Sequence, residues 1–163
     1  MERLWSPWRM QYVTIADGDE GCIFCDHLAS GDDVDAHVLF RSEHCFVLLN
    51  AYPYNTGHLM VAPFRHVAEL DALSPEERTD IMETTNSAIS IIRRTMDAHG
   101  FNVGLNLGRA AGAGIPGHCH VHVVPRWGGD TNFMTTVGDT KVLPELIRDT
   151  DQKLRPHFAA LSE

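Results

Sequence analysis

Three histidines stand at strict two-residue spacing in "GHCHVHVVPRW", residues 117–127: His118, His120 and His122. In an extended chain alternate side chains leave the same face, about 6–7 Å apart per step. Three imidazoles gathered there cost too much desolvation to be idle packing. They suit metal ligation, catalysis, or a division of labour between the two. A second set lies far upstream. "CIFC" puts Cys22 and Cys25 at a spacing that lets two thiolates grip one tetrahedral zinc, with two further N or S ligands required. His66 in "APFRHV" and one histidine of the triad are candidate partners. Simple burial of the two thiols is the alternative. A redox CxxC normally follows a strand and opens a helix, a context the sequence does not display here.

These residues need a scaffold. The sequence reads as an irregular N-terminal arm over 1–20, whose tryptophans pack on the body or a partner, followed by a single domain over 21–163. "HVLFRSE" and "CFVLLNAY" are apolar runs that read as strands separated by a short polar turn, and "PYNTGHLMVAP" is a loop running into a third. The clearest helix starts at Ser74, with Pro75 at its first position and Glu77 three residues on, the signature of a capping box. Ile81, Ala88, Ile91, Ile92 and Met96 form its apolar stripe, and Gly100 after His99 is its stop signal. "FNVGLNLG" reads as a strand, and the Gly/Ala-rich "GRAAGAGIPG" leads into the histidine strand, 118–125. An irregular connector then precedes a C-terminal helix near 143–155. The order indicates an α+β fold: an antiparallel β-sheet with one long helix and a C-terminal helix.

Composition narrows the function classes. A formal net charge of −9 without a basic stripe argues against nucleic acid as a partner, because phosphate neutralisation supplies most of that affinity. No apolar run reaches the ~20 residues of a membrane span, and "MERLWSPWRMQYV" does not read as a signal peptide. A cytoplasmic location with four free or metal-bound cysteines is therefore expected, and Cys45 and Cys119 read as buried small residues. Ten histidines in 163 residues are the anomaly to explain. His99 is expected to favour a helix dipole, and His27, His37, His44 and His157 to lie at the surface.

"HCHVHVV" resembles the histidine-triad pattern of the HIT superfamily, and "NTGHLMVAP", "FRHV", "NLG" and "VPRW" fall where members carry similar segments. The opening "LWSPWRMQYV" and the closing "PRWGGDTNFM" resemble a bacterial branch related to diadenosine tetraphosphate phosphorylases. The resemblance implies a HIT-like fold, a homodimer and nucleotidyl transfer. His120 is then the nucleophile at an α-phosphorus, and His122 and His58 assist near the phosphates. His118 joins Cys22, Cys25 and His66 around a structural zinc with no open position.

Further substrate contacts follow the same resemblance. The backbone of Gly112, Ala113, Gly114 and Ile115 would cradle phosphate. Asn50 contacts ribose or is a turn residue. Asn106 orients His120, binds phosphate or satisfies local backbone, and Trp127 stacks near the site or packs in the core. The implied substrate is a dinucleoside polyphosphate, with phosphate or water as second acceptor. The loop "AAGAGIPGH" has no Gln, Ser or Thr, which weighs against phosphate as that acceptor. Two rivals stand beside this reading: a nucleoside phosphoramidase, and a zinc-stabilised nucleotide-binding protein with little turnover.

Overall fold

A computed structural model describes residues 21–131, 143 and 145–162. The expected N-terminal arm and most of the connector after Thr131 lie outside them. Strands β1 (Val38–Arg41), β2 (Cys45–Leu49), β3 (Leu59–Pro63), β4 (Gly100–Leu105) and β5 (Val121–Arg126) form one sheet in the order β1-β2-β3-β5-β4. All four pairings are antiparallel. Among the described residues three α-helices accompany it: α1 (Ile23–Ser30), α2 (Pro75–Met96) and α3 (Ile147–Ala159). The α+β architecture expected from the sequence is the one observed. No described helix is long and apolar enough to cross a membrane.

Period-two alternation sorts the sheet into two apolar layers. Cys45, Val47 and Leu49 of β2 point to one face with Leu59 and Val61 of β3, where Ile81, Ala88, Ile91 and Ile92 of α2 and Leu154 and Phe158 of α3 cover them. Phe46 and Leu48 point to the other face with Met60 and Ala62, and there Phe24 of α1 closes a smaller core. The register of β5 places Val121 and Val123 on the helix-covered face, so His122 belongs to the opposite one.

Helix α2 begins as its sequence dictates. Ser74 Oγ accepts the Glu77 N–H at 3.2 Å, and the Glu77 carboxylate accepts the Ser74 N–H at 2.7 Å. It ends at Met96 with Asp97 in the left-handed region, three residues before the expected stop. His99 consequently lies beyond the helix, where its Nδ1 accepts the Gly128 N–H at 2.9 Å and ties the start of β4 to the turn after β5. The C-terminal helix is displaced to 147–159 relative to the expected span.

Helix α1 was not legible. Cys22 is its N-cap residue and Cys25 sits in its first turn, so the CxxC pair does open a helix. His37 is another correction. It adopts a positive φ of 52° and its Nδ1 lies 2.8 Å from the buried Asp151, which also receives two hydrogen bonds from Arg155.

Candidate active site and metal centre

The histidine segment departs from the expected strand in an informative way. Strand β5 starts at Val121, so only His122 lies within it. Before that point the Cys119 N–H donates to Val67 O at 2.7 Å, and His118 Nε2–H donates to Pro63 O at 2.9 Å. The chain at 118–120 is therefore fastened to the last residue of β3 and to the segment that follows it. The detour brings His118 beside His66, with ring centroids 5.2 Å apart.

His118 is fully buried, and burial lowers its basicity. Because a carbonyl only accepts, the bond to Pro63 places the proton on Nε2 and leaves a lone pair on Nδ1. That lone pair faces Cys22 Sγ at 3.3 Å and Cys25 Sγ at 3.8 Å. His66 Nδ1 lies 3.4 Å from Cys25 Sγ. The ligand atoms of Cys22, Cys25, His66 and His118 all fall within 4.8 Å of one another. Two sulfurs and two imidazole nitrogens make a complete tetrahedral donor set, and the oriented Nδ1 fits a metal. Burial and the neighbouring Cys22 raise the Cys25 thiol, so its deprotonation calls for a cation.

Two residues on, His120 carries the opposite tautomer. It is buried, with basicity lowered chiefly by desolvation, and its Nδ1–H donates to the His118 carbonyl at 2.9 Å. The bare lone pair is then on Nε2. A neutral imidazole with an aimed lone pair is a competent nucleophile near neutral pH. Phe24, between the two cysteines, packs on the rings of both His118 and His120 at 4.9 Å.

A second chain of hydrogen bonds orients His122. The Tyr54 N–H donates to His58 Nδ1 at 3.1 Å, and Asn50 Nδ2 approaches the same atom at 3.4 Å. His58 must then carry its proton on Nε2, which donates to His122 Nδ1 at 3.0 Å. His122 in turn presents Nε2–H as a donor. Its ring centroid is 4.7 Å from that of His120 at an interplanar angle of 76°. One lone pair and one N–H thus stand side by side, an arrangement suited to attack on an electrophile and donation to the oxygen that leaves.

The other sequence candidates divide. Asn50 joins the site through His58, and its Oδ1 also accepts the Tyr52 N–H at 2.9 Å as a turn residue would. Asn106 follows β4, and continuing the Leu105–Val121 register by one step sets it opposite His120. In the Gly/Ala loop, the Gly112 and Ala113 N–H groups are spent on the Arg109 and Gly108 carbonyls. Gly114 and Ile115 precede the triad segment, and Ile115 packs against the Phe24 core. Trp127 is not brought to the histidines. It packs with the helix-covered core, and its indole N–H donates to Met96 O at 3.0 Å.

Three contributors were missed by the sequence reading. Tyr54 sets the His58 tautomer, and its ring lies 4.6 Å from His58 and 5.8 Å from His122. Its place four residues before a site histidine was the available signal. Phe24 was marked only by lying inside the CxxC. Asp130 had no signal: it accepts from Asn55, Arg126 and the Trp127 N–H, holding the β2–β3 loop to the end of β5.

Comparison with known proteins bears on the family and the fold. The HIT domain family model matches residues 32–129. A Mycobacterium tuberculosis protein named AP-4-A phosphorylase is 43% identical over 166 residues, covering 98% of this chain and 85% of its own length. An asymmetrical bis(5'-nucleosyl)-tetraphosphatase of Schizosaccharomyces pombe is 33% identical over 93 residues, 57% of this chain and 50% of that protein. Among solved structures, a Zn-bound histidine triad family protein from Mycobacterium smegmatis superposes with a TM-score of 0.63 at 24% identity, covering 93% of this chain and 94% of that one. With a family model spanning more than half its length and a relative of that identity along nearly all of it, the chain belongs to the HIT domain family.

Proposed function

We propose that this protein is an enzyme that cleaves dinucleoside polyphosphates, diadenosine tetraphosphate foremost, through a nucleotidyl group carried on His120. The observation that carries the reading is the pair of opposed tautomers. His120 offers a lone pair on Nε2 because His118 O holds its other nitrogen, and His122 offers an N–H because His58 holds its Nδ1. The relatives named for the phosphorolysis or hydrolysis of such substrates support the substrate class.

In this reading His120 Nε2 attacks the α-phosphorus, forming a P–N bond as the bridging P–O bond breaks. His122 Nε2–H donates to the departing oxygen, and ATP leaves. A second displacement returns His120 to its neutral state. Phosphate as acceptor yields ADP, and water yields AMP. In the same reading Gly114 and Ile115 of the loop, with Asn50 and Asn106, would contact the substrate. Cys22, Cys25, His66 and His118 would hold a zinc ion with four protein ligands, and the ion would brace the segment bearing His120 rather than take part in the chemistry.

Incubation with diadenosine tetraphosphate, with and without phosphate, tests the reading. ADP formed only with phosphate identifies a phosphorylase, and AMP in both a hydrolase. The likeness along 98% of the chain favours the first, and the absence of Ser or Thr from the loop favours the second. Absence of cleavage in either mixture overturns the reading in favour of a phosphoramidase or a binding protein.

A further inference from the structure

We infer that Cys22 and Cys25 are a redox modification site, closing to a disulfide under hydroperoxide oxidation, with loss of the bound metal and loosening of His120. The inference rests on the metal-centre reading above and adds a second state to it. The same two sulfurs meet two geometric demands. They belong to a four-atom donor cluster, and they sit at the N-cap and in the first turn of an eight-residue helix. The second placement is the one in which a CxxC pair closes readily, and the sulfurs already lie within 4.8 Å of each other, against the about 2.0 Å of a disulfide.

Accessibility distinguishes the two thiols. Cys22 is buried, whereas Cys25 is half-buried and its ligand neighbour His66 is exposed. A peroxide therefore reaches Cys25 first. Its thiolate attacks the O–O bond and becomes a sulfenic acid as hydroxide departs. The Cys22 thiolate then attacks the Cys25 sulfur and expels the second hydroxide. Two thiolates, one hydrogen peroxide and two protons give one disulfide and two waters, each sulfur losing one electron. His66 and His118 alone are too few ligands to keep zinc.

Transmission to the site is short. Phe24 lies between the two cysteines in sequence and packs on both His118 and His120, and His118 O is the acceptor that fixes the His120 tautomer. Relaxing His118 removes the direction from the His120 lone pair. Cys45 and Cys119 are both fully shielded, and neither belongs to the donor cluster.

The test uses the full chain, reduced and loaded with zinc, then treated with hydrogen peroxide. Released zinc is followed with a chromogenic chelator, disulfides by peptide mapping, and the histidine tautomers by 15N NMR. Expected is about one zinc released per chain in step with a Cys22–Cys25 disulfide, broadening of the His120 signals, and recovery on adding a dithiol reductant and zinc. A Cys25→His variant, which keeps four ligands but cannot form the disulfide, should retain its zinc under the same treatment. Zinc kept after the disulfide forms, zinc lost with no Cys22–Cys25 disulfide, or a reduced chain that binds no zinc each overturns the inference. None of these readouts depends on turnover, so they stand apart from the assay of diadenosine tetraphosphate.

Discussion

His58 Nε2 lies 3.0 Å from His122 Nδ1, and the His58 ring is fully buried while His122 is only half so. The buried ring dictates the protonation of the accessible one, because the Tyr54 N–H has already claimed the other nitrogen of His58. His58 is a positioning residue in this arrangement. Its replacement by Phe should leave His122 free to exchange tautomers, visible in its 15N shifts, and lower kcat by about 10- to 100-fold with a smaller effect on KM. An unchanged His122 tautomer in that variant would remove the role assigned here.

The roles proposed for His120 and His122 should separate by magnitude. On the proposed covalent route His120→Gly would remove the nucleophile, and turnover of diadenosine tetraphosphate should fall on the order of 10⁴-fold or more. His122→Ala removes one donor to the leaving oxygen and should cost about 10²- to 10³-fold. Rapid-quench trapping of a labelled nucleotidyl-protein in the wild type, and its absence in His120→Gly, is the accompanying measurement. Equal and modest losses in both variants would point away from a covalent intermediate.

Local rules were readable wherever one short-range interaction decides the backbone. Ser74 and Glu77 announced the start of α2, and the short apolar runs in "CFVLLNAY" and "HLMVAP", bounded by turn residues, announced β2 and β3. The donor types of the metal centre were readable too, but their convergence needed the detour at 118–120, which depends on Val67 O and Pro63 O more than fifty residues away. No local pattern marks such long-range bonds. Helix α1 was hidden because it is short and carries no side-chain cap, and propensity is a weak prior over eight residues. Trp127 shows the converse: a large aromatic next to a site motif was ambiguous until Met96 O claimed its indole N–H. The inward use of the Gly112 and Ala113 N–H groups was likewise invisible in composition, since glycine-rich loops hydrogen-bond to themselves as easily as to phosphate.

The capping box supplies a pH-dependent contribution to stability. Hydrogen bonds from Arg65, then from the Ser74 N–H, hold the Glu77 carboxyl down to about 2. A depressed carboxylate stabilises the fold above the unfolded-state pKa and loses that contribution as pH falls through the folded one. Glu77→Gln should therefore lower Tm by a few °C at pH 6, with the difference from wild type shrinking between about pH 4.5 and pH 2. Thermal unfolding of both proteins across that range is the check. A constant difference would assign the effect to the side-chain amide geometry rather than to charge.

Gly57 precedes His58 with φ of +75°, and a Cβ built there would stand 3.0 Å from Met96 Sδ and 3.4 Å from Pro125 Cγ. Two penalties should therefore act together in Gly57→Ala: about 1–2 kcal/mol for the left-handed backbone, and a packing term against the end of α2. The methionine is flexible, so the packing term should be the relievable one. Pairing Gly57→Ala with Met96→Ala in a double-mutant cycle separates them: the coupling should be favourable, with the backbone penalty persisting in the double variant. Because Gly57 directly adjoins His58, the single variant should also displace the His58–His122 bond and lower kcat together with stability. Full activity in a strongly destabilised Gly57→Ala protein would show that the loop yields at Met96 while the histidine pair holds its position.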